Sequence, residues 1–547
     1  MREVYDIYTK GSRDDDTVPV LIVGGSLVGL SMSLFLAWHG IPSIVVERHA
    51  GNSPQPRAFN YNERTMEAFQ TIGVGEAIRQ QAPPHFQNSS ILHAESLVGQ
   101  EFDAVTQDIT SSDLSAVSSC IIGQDALEPV LRARAEEVGV DLRFSTELLS
   151  FQEEADGVSA VIRKRTTGEE STVRARYLIA ADGNRSHIRQ ALGTKVHGPG
   201  LFGNQLSILF SADMEAALRG RRIAVCFVHN AAVRKGTSLV FARNGQGFAL
   251  FTPYFPAQGE REEDFVGERC VELVRAAVGI PDLPVEIINV SSWEVAAWAA
   301  AGFQHGNVFL VGDAAHVTPP AGAFGANTGI ADAYNLAWKM ALVLQGSASA
   351  QLLETYTEER QPVVRNTAEQ AFYMFSRFSS MPTDNIHGNV ILPYNSIALG
   401  YRYHSSVLRT DPADDCQWYE DPYQPTGRPG THAAYVKLEK DGEPCSTLDL
   451  FGRYFVLLTG AGGEAWCEAW REVAERSDLK LDSYRIGVAG DFIDPADRFL
   501  TDYGIESDGA VLVRPDGFIG WRATEAAVNP VSALEQGLLC MLGRASQ

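Results

Sequence analysis

The stretch best equipped for chemistry runs Val311-Gly312-Asp313-Ala314-Ala315-His316-Val317-Thr318-Pro319-Pro320-Ala321-Gly322-Ala323-Phe324-Gly325-Ala326-Asn327. It follows the short apolar strand Val308 to Val311 and leads into a helix expected from about Thr328 to Leu344. Paired prolines fix the backbone and remove two donors. Gly322 and Gly325 let a ligand approach the main chain. Free N–H groups and the positive dipole end at the helix start favour negative charge on that ligand. A flavin, whose N1 and C2 carbonyl become anionic on reduction, suits such a site.

A second stretch lies near the amino terminus. The apolar run Val18 to Val23 enters Gly24-Gly25-Ser26-Leu27-Val28-Gly29, and a helix follows with Leu27, Leu30, Leu34 and Ala37 at helical spacing before Gly40. The next strand, Ile44 to Val46, ends in Glu47-Arg48, with Glu47 eighteen residues past Gly29 (47 − 29 = 18). Strand, glycine turn, helix and terminal acid form the dinucleotide fingerprint. Bare backbone admits the pyrophosphate to a helix N-terminus, and the acid accepts from a ribose hydroxyl. Ser26 stands where the middle glycine belongs.

A parallel sheet must hold these turns side by side. A further strand, Tyr177 to Ala181, runs into Asp182-Gly183 and brings Asp182 to the same crevice, at the carboxyl ends of the sheet. Gln124 to Val138 reads as an amphipathic helix, and residues 85–118 as irregular and strand-like. From Phe202 to Val290 the pattern changes to alternating, aromatic-rich strands with one acidic helix near 262–277, a natural substrate floor. Beyond a Pro-, Asp-, Gly- and Tyr-rich linker, the order βαβαββα is thioredoxin-like but carries no C-x-x-C. The expected fold class is therefore α/β. A Rossmann-like FAD-binding domain (18–201 and 291–400) carries an inserted, mainly β substrate domain (202–290). A flexible tail (1–17) precedes it. A linker (401–432) and a thioredoxin-like C-terminal domain (433–547) follow.

Bulk composition narrows the partners. At 547 residues with a formal charge of −23, a nucleic-acid or membrane-surface partner is disfavoured. No stretch approaches the ~20 apolar residues of a membrane span. The seven cysteines are scattered without a C-x-x-C pair, so neither a disulfide framework nor a metal site is expected. These features fit a reduced, cytoplasmic protein.

Taken in order, Gly24 to Gly29 with Glu47-Arg48, then Asp182-Gly183, then Gly312 to Asn327 resemble the FAD-dependent aromatic hydroxylases, class A flavoprotein monooxygenases of the para-hydroxybenzoate hydroxylase type. Pro56-Arg57-Ala58, Arg64-Thr65-Met66-Glu67, Asn335 to Lys339, Glu359-Arg360 and Arg514-Pro515-Asp516-Gly517 point to the phenol hydroxylase-like and aromatic polyketide hydroxylase branch. The resemblance implies that Gly24, Gly25, Ser26 and Gly29 hold the FAD pyrophosphate, with Glu47 at the adenosine ribose and Arg48 by the adenine. It implies that Arg57 lies by the ribityl or phosphate or gates the nicotinamide, and that Gln124 contacts the cofactor. Asp182 and Gly183 would serve the FAD and NAD(P)H pyrophosphates. Asp313 would bind ribityl hydroxyls, while Pro320, Gly322, Gly325, Ala326 and Asn327 wrap the isoalloxazine. Phe59 stands where simple phenol hydroxylases carry an aspartate, which leaves the phenol-ionising group unnamed. His316 reads as a structural part of its turn, and no catalytic residue is assigned among His229, Arg234 and Tyr254.

The implied cycle uses NAD(P)H, with NADPH favoured, to reduce FAD. O2 then adds at flavin C4a, and the hydroperoxide passes one oxygen to an electron-rich, phenolic and polycyclic ring of the polyketide type. A Baeyer–Villiger or epoxidising enzyme would share these motifs, and a flavin-binding interaction protein without turnover is a further alternative. A halogenase would carry W-x-W-x-I-P, whereas Trp293 and Trp298 lack that spacing. The C-terminal unit could mediate a homodimer or only brace the flavin domain.

Overall fold

The structure, a computed structural model, describes residues 15–52, 58–83, 89–106, 113–241, 247–378, 390–409, 414, 416–477 and 479–544. Arg57 lies outside the described residues.

Runs of Val, Ile and Leu build the first sheet. Its strand order is 304–305, 308–310, 170–180, 15–23, 43–47, 141–144, and the inner pairs are parallel. In register, Val23 faces Ala180 and Val46, and Ala180 faces Leu310. Three strands therefore end together, and the turns after them, at Gly24, Asp182 and Gly312-Asp313, must share one crevice. The first strand begins at Asp15, inside the expected tail, because residues 15–17 pair with Thr172 to Arg174.

The helix Leu27–Trp38 is apolar on nearly every side and buried from Leu27 to Leu36 apart from Val28. It packs between the sheet and the long helix Phe324–Leu344, the environment of an all-round apolar helix.

The second sheet is larger than expected. Its order is 316–317, 286–300, 196–211, 248–253, 238–240, 223–228, 90–94, 101–106. The structure adds two details to the sequence reading. Ser90–Ala94 and Glu101–Thr106 are regular strands within the stretch read as irregular and strand-like, the first paired parallel to Ile223–Val228 and the second antiparallel to the first. The strands Val196–Ser211 and Glu286–Ala300 run past both ends of the 202–290 range, so the two sheets share continuous chain. One face of this sheet (Leu206, Ile208, Phe210, Leu250, Cys226) is buried under the helix Glu268–Val278.

The C-terminal unit follows the expected element order, with strand order 481–486, 455–460, 510–513, 519–523. The expected linker is closely packed: Tyr403 stacks on Phe518 at 4.1 Å, and Arg402 pairs with Asp414 at 2.7 Å. Arg514 of the hairpin turn reaches into the flavin domain. Its Nη1 and Nη2 donate to Glu359 at 2.6 and 2.9 Å, and Lys339 Nζ donates to the same carboxylate at 2.8 Å.

Among the described residues no helix is long and apolar enough to cross a membrane, and no cluster of three or more His, Cys, Asp or Glu could hold a metal ion.

Candidate active site

The fingerprint turn is shaped by close approach. Gly24 has φ +113°, and its N–H donates to Val46 O at 2.8 Å. A Cβ on Gly29 would stand 1.9 Å from Gly24 O, and one on Gly25 would stand 2.8 Å from Glu47 Cβ. Gly25 N–H donates to Glu47 Oε2 at 2.8 Å, which fixes the ribose-side carboxylate against the turn. Arg48 is exposed next to it.

Beneath the turn sits a residue that the sequence reading missed. Glu128 is fully buried, and its Oε1 accepts from Ser26 Oγ, from Leu27 N at 3.0 Å and from Gln124 Nε2 at 2.7 Å. Its Oε2 accepts from Asn52 Nδ2 at 3.2 Å. Ser26 is thus tolerated in place of glycine because its hydroxyl turns to Glu128. A legible signal existed: Glu128 lies in the buried stripe Gln124, Leu127, Leu131, Ala135 of its own helix.

At the second strand end, Asp182 Oδ2 accepts from Ile188 N at 3.4 Å, while Oδ1 is buried without a partner. Gly183, at φ +84°, turns the chain. At the third, Asp313 is exposed on the turn Gly312–Ala314. Buried charge holds this turn from behind. His316 Nε2 meets Asp332 Oδ2 at 2.6 Å, Gly312 N–H donates to the same oxygen at 3.1 Å, and Arg360 Nε donates to Asp332 Oδ1 at 2.8 Å. Burial alone would raise the Asp332 pKa, but His316 and Arg360 outweigh it and hold the carboxyl below its ordinary value. His316 therefore supports the turn.

The loop into the long helix is tight. Gly322 has φ +77° and a Cβ there would lie 2.2 Å from the Phe324 ring, while Ala323 is left-handed at φ +55°. Pro320 is exposed, Gly325 and Ala326 are half-buried, and Thr318 Oγ1 is buried without a partner. The amide of Asn327 is engaged within the protein. Its Oδ1 accepts from Asn62 N and Thr65 Oγ1, and its Nδ2 donates to Asn60 O and Ala323 O.

Three strand-end turns, a helix N-terminus reached by bare glycine backbone, and orphaned polar atoms at Asp182 and Thr318 fit a long ligand with phosphate in its middle and hydroxyl groups to either side. FAD has that chemistry.

The other side of the second sheet carries Gln205, Ser207, Phe251 and Trp293. Phe59 packs against Val240, Ala249, Val225 and Phe251 there. Trp293 Nε1 donates to Ser207 Oγ at 3.0 Å. Of the middle-domain candidates, Arg234 is locked to Glu260, whose carboxyl that guanidinium holds down at about 2. Tyr254 is buried, and His229 Nε2 lies 3.1 Å from His93 Nδ1.

Residues 17–371 match the family model of the FAD binding domain, and residues 426–545 match that of the aromatic-ring hydroxylase C-terminal domain. The chain belongs to the FAD-dependent aromatic-ring hydroxylases. It is 42% identical to the 4-methyl-5-nitrocatechol 5-monooxygenase of a Burkholderia species, over 97% of this chain and 98% of that one. It is 38% identical to the tetracenomycin A2 monooxygenase-dioxygenase of Streptomyces glaucescens, over 97% and 98%. The crystal structure of aklavinone-11 hydroxylase with FAD and aklavinone superposes with a TM-score of 0.92 at 36% identity, covering 96% of this chain and 99% of that one. The protein is thus a flavin-dependent monooxygenase.

Proposed function

We propose that this hydroxylase inserts one oxygen atom of O2 into a phenolic, polycyclic aromatic substrate of the polyketide type, with NAD(P)H as reductant and NADPH favoured. The observation that carries the reading is the width of the sheet face opposite the helix Glu268–Val278. Register places Trp293, Gln205, Ser207, Phe251, Ser238, Phe227 and His93 on one side, across strands 286–300, 196–211, 248–253, 238–240, 223–228 and 90–94. At about 4.8 Å per strand, this floor is roughly 24 Å wide, room for several fused rings. The tetracenomycin and aklavinone enzymes act on such molecules, as their names state. The nitrocatechol relative favours a second reading, a single-ring catechol.

The reaction balances as ring C–H + O2 + NADPH + H⁺ → ring C–OH + H2O + NADP⁺. Bound FAD would accept the two electrons of the nicotinamide and activate O2. The chain supplies the rest. Asp182, Asp313 and the fingerprint turn hold the cofactor as assigned above. N–H groups at the start of the helix Phe324–Leu344 stabilise negative charge. The apolar floor with Phe59 excludes water from the reacting ring. Phe59 cannot take a proton, so ionisation of the phenol falls to another group or to solvent. For the reductant, we favour the cleft lined by Asn184, Arg185, Arg189 and Trp298 beside Asp182.

The deciding experiment is NADPH oxidation by the FAD-loaded protein with aklavinone, a tetracenomycin-type naphthacenone and 4-methyl-5-nitrocatechol, with mass analysis of the products. A polycyclic product heavier by one oxygen, with O2 consumed in step, supports the proposal. Turnover of the catechol alone would establish the second reading. A product whose carbon ring has expanded would identify Baeyer–Villiger chemistry instead.

A further inference from the structure

The uncovered face of the second sheet holds one polar side chain whose chemistry is unused. Register sets Gln205 opposite Pro253 and Trp293, and Ser207 opposite Phe251. Trp293 and Phe251 meet edge-on with centroids 6.1 Å apart, and the indole N–H is already committed to Ser207 Oγ. These residues form a half-buried aromatic corner, and Gln205 stands at its edge. The alternate residues Leu206 and Ile208 point the other way into the covered core. Gln205 is only 5% exposed, and its Oε1 is shut off from solvent without a hydrogen-bond partner.

A buried amide oxygen left unpaired is costly, and native folds rarely keep one without a reason. Asp182 Oδ1 and Thr318 Oγ1 are comparable orphans, but both belong to the flavin side of the crevice. Gln205 lies across from them, on the floor. A glutamine carries no charge at any ordinary pH, so it can orient a hydroxyl without ionising it.

We infer that Gln205 is a substrate-binding and orienting residue, whose Oε1 accepts a hydrogen bond from a phenolic hydroxyl of a ring laid against Phe251 and Trp293. The inference rests on the reading of this face as the substrate floor. It adds a selection rule to that reading: a ring bearing a free hydroxyl is preferred to its methyl ether, which has no proton to donate. A site built around a hydroxyl penalises the analogue that leaves the buried group unpaired.

The test uses the FAD-loaded enzyme and follows binding by the change in the flavin absorption spectrum, independent of turnover. The probes are aklavinone and 4-methyl-5-nitrocatechol, each with its mono-O-methyl ethers. Wild-type enzyme is expected to bind at least one free phenol about tenfold or more tightly than the matching ether. Gln205→Leu should weaken the phenol by about that factor and leave the ether within about twofold, which erases the preference. Gln205→Glu, which keeps an acceptor oxygen, should retain it. If Gln205→Leu fails to hold FAD, Gln205→Met takes its place with the same expectation. Undiminished preference in the apolar variant overturns the inference, and so does equal weakening of phenol and ether, the mark of a merely structural role. Wild-type enzyme whose flavin responds to none of the probes would remove the floor reading itself, and the inference with it.

Discussion

Two acidic regions of this fold handle charge in opposite ways. Where the C-terminal unit meets the flavin domain, Glu359 is wholly buried and wholly engaged. Its Oε1 accepts from Arg514 and Ser405, and its Oε2 from Arg514, Lys339 and Asn335. At the strand ends, Asp313 is exposed and Asp182 keeps one buried oxygen without a partner. Burial and charge alone would pick the first region as functional. Incompleteness picks the second. A carboxylate whose lone pairs are all taken by its own chain has nothing left for a ligand, whereas Asp182 Oδ1 can still accept from one.

The largest effect should therefore come from breaking the closed region. Removing one partner of a buried ion pair costs roughly 3–5 kcal/mol, because the other charge remains buried. Glu359→Gln leaves Lys339 without a carboxylate and Arg514 with Asp516 alone, and should lower the unfolding free energy read by urea denaturation by an amount of that order, while the strand-end turns stay intact. A loss below about 1 kcal/mol would mean that the cluster is solvated, and the contrast would collapse.

The same cluster sets a pH dependence. Burial raises the Glu359 pKa, but Arg514 and Lys339 outweigh it and hold the carboxyl far below the ordinary glutamate range. A depressed carboxyl contributes stability above its unfolded pKa of about 4.3 and loses it as pH falls from there toward the folded value. Lys339 adds a slope of the same sign at higher pH. Burial, opposed by Glu359, pushes it down to about 8, so the unfolded chain binds the extra proton between there and about 10.4, and stability rises with pH across that window. Chemical denaturation below pH 4.5 should show a steep loss in the wild type and a shallower one in Glu359→Gln. Parallel acid limbs would contradict the assignment.

Much of this architecture was legible because local and long-range signals agree. Apolar runs ending in Gly24, Asp182 and Gly312 announce parallel strands with turns at one edge, and the register confirms three coincident ends. Glu128 was not legible by type, since an acid on a helix ordinarily faces water. Its place in an apolar stripe was the only clue. The strand at 90–94 was legible only as strand-like chain because one partner lies some 130 positions away, as Cys226 with Leu92 (226 − 92 = 134), while 101–106 is held by 90–94 itself. The helix Gln351–Phe378 runs on past Pro362 in its interior because Val363, Val364, Ala368 and Ala371 remain buried along it. The role expected for Asn327 narrows for a similar reason. With its amide committed to Asn62, Thr65, Asn60 and Ala323, only its backbone is left to meet a flavin.

The open region predicts smaller effects, read as FAD affinity rather than stability. Glu128 does not reach the ligand position itself but holds the turn that does. Glu128→Ala leaves Leu27 N unpaired and Gln124 Nε2 with Ser26 Oγ alone, at about 1–3 kcal/mol, and should weaken FAD by about ten- to a hundredfold in a flavin-fluorescence titration. Unchanged affinity would show that the turn holds its shape without the carboxylate.

The smallest effect tests the same device from its other end. Ser26→Gly restores the fingerprint glycine and removes one of the donors to Glu128, which keeps Leu27 N, Gln124 and Asn52. One hydrogen bond among several is worth about 0.5–1.5 kcal/mol. Glycine in turn relieves any crowding by the Ser26 side chain where the pyrophosphate passes, so the two changes oppose each other. FAD affinity should shift by less than about fivefold. A loss as large as that of Glu128→Ala would mean that the serine hydroxyl itself contacts the phosphate, and Glu128 would then act on FAD through Ser26 alone.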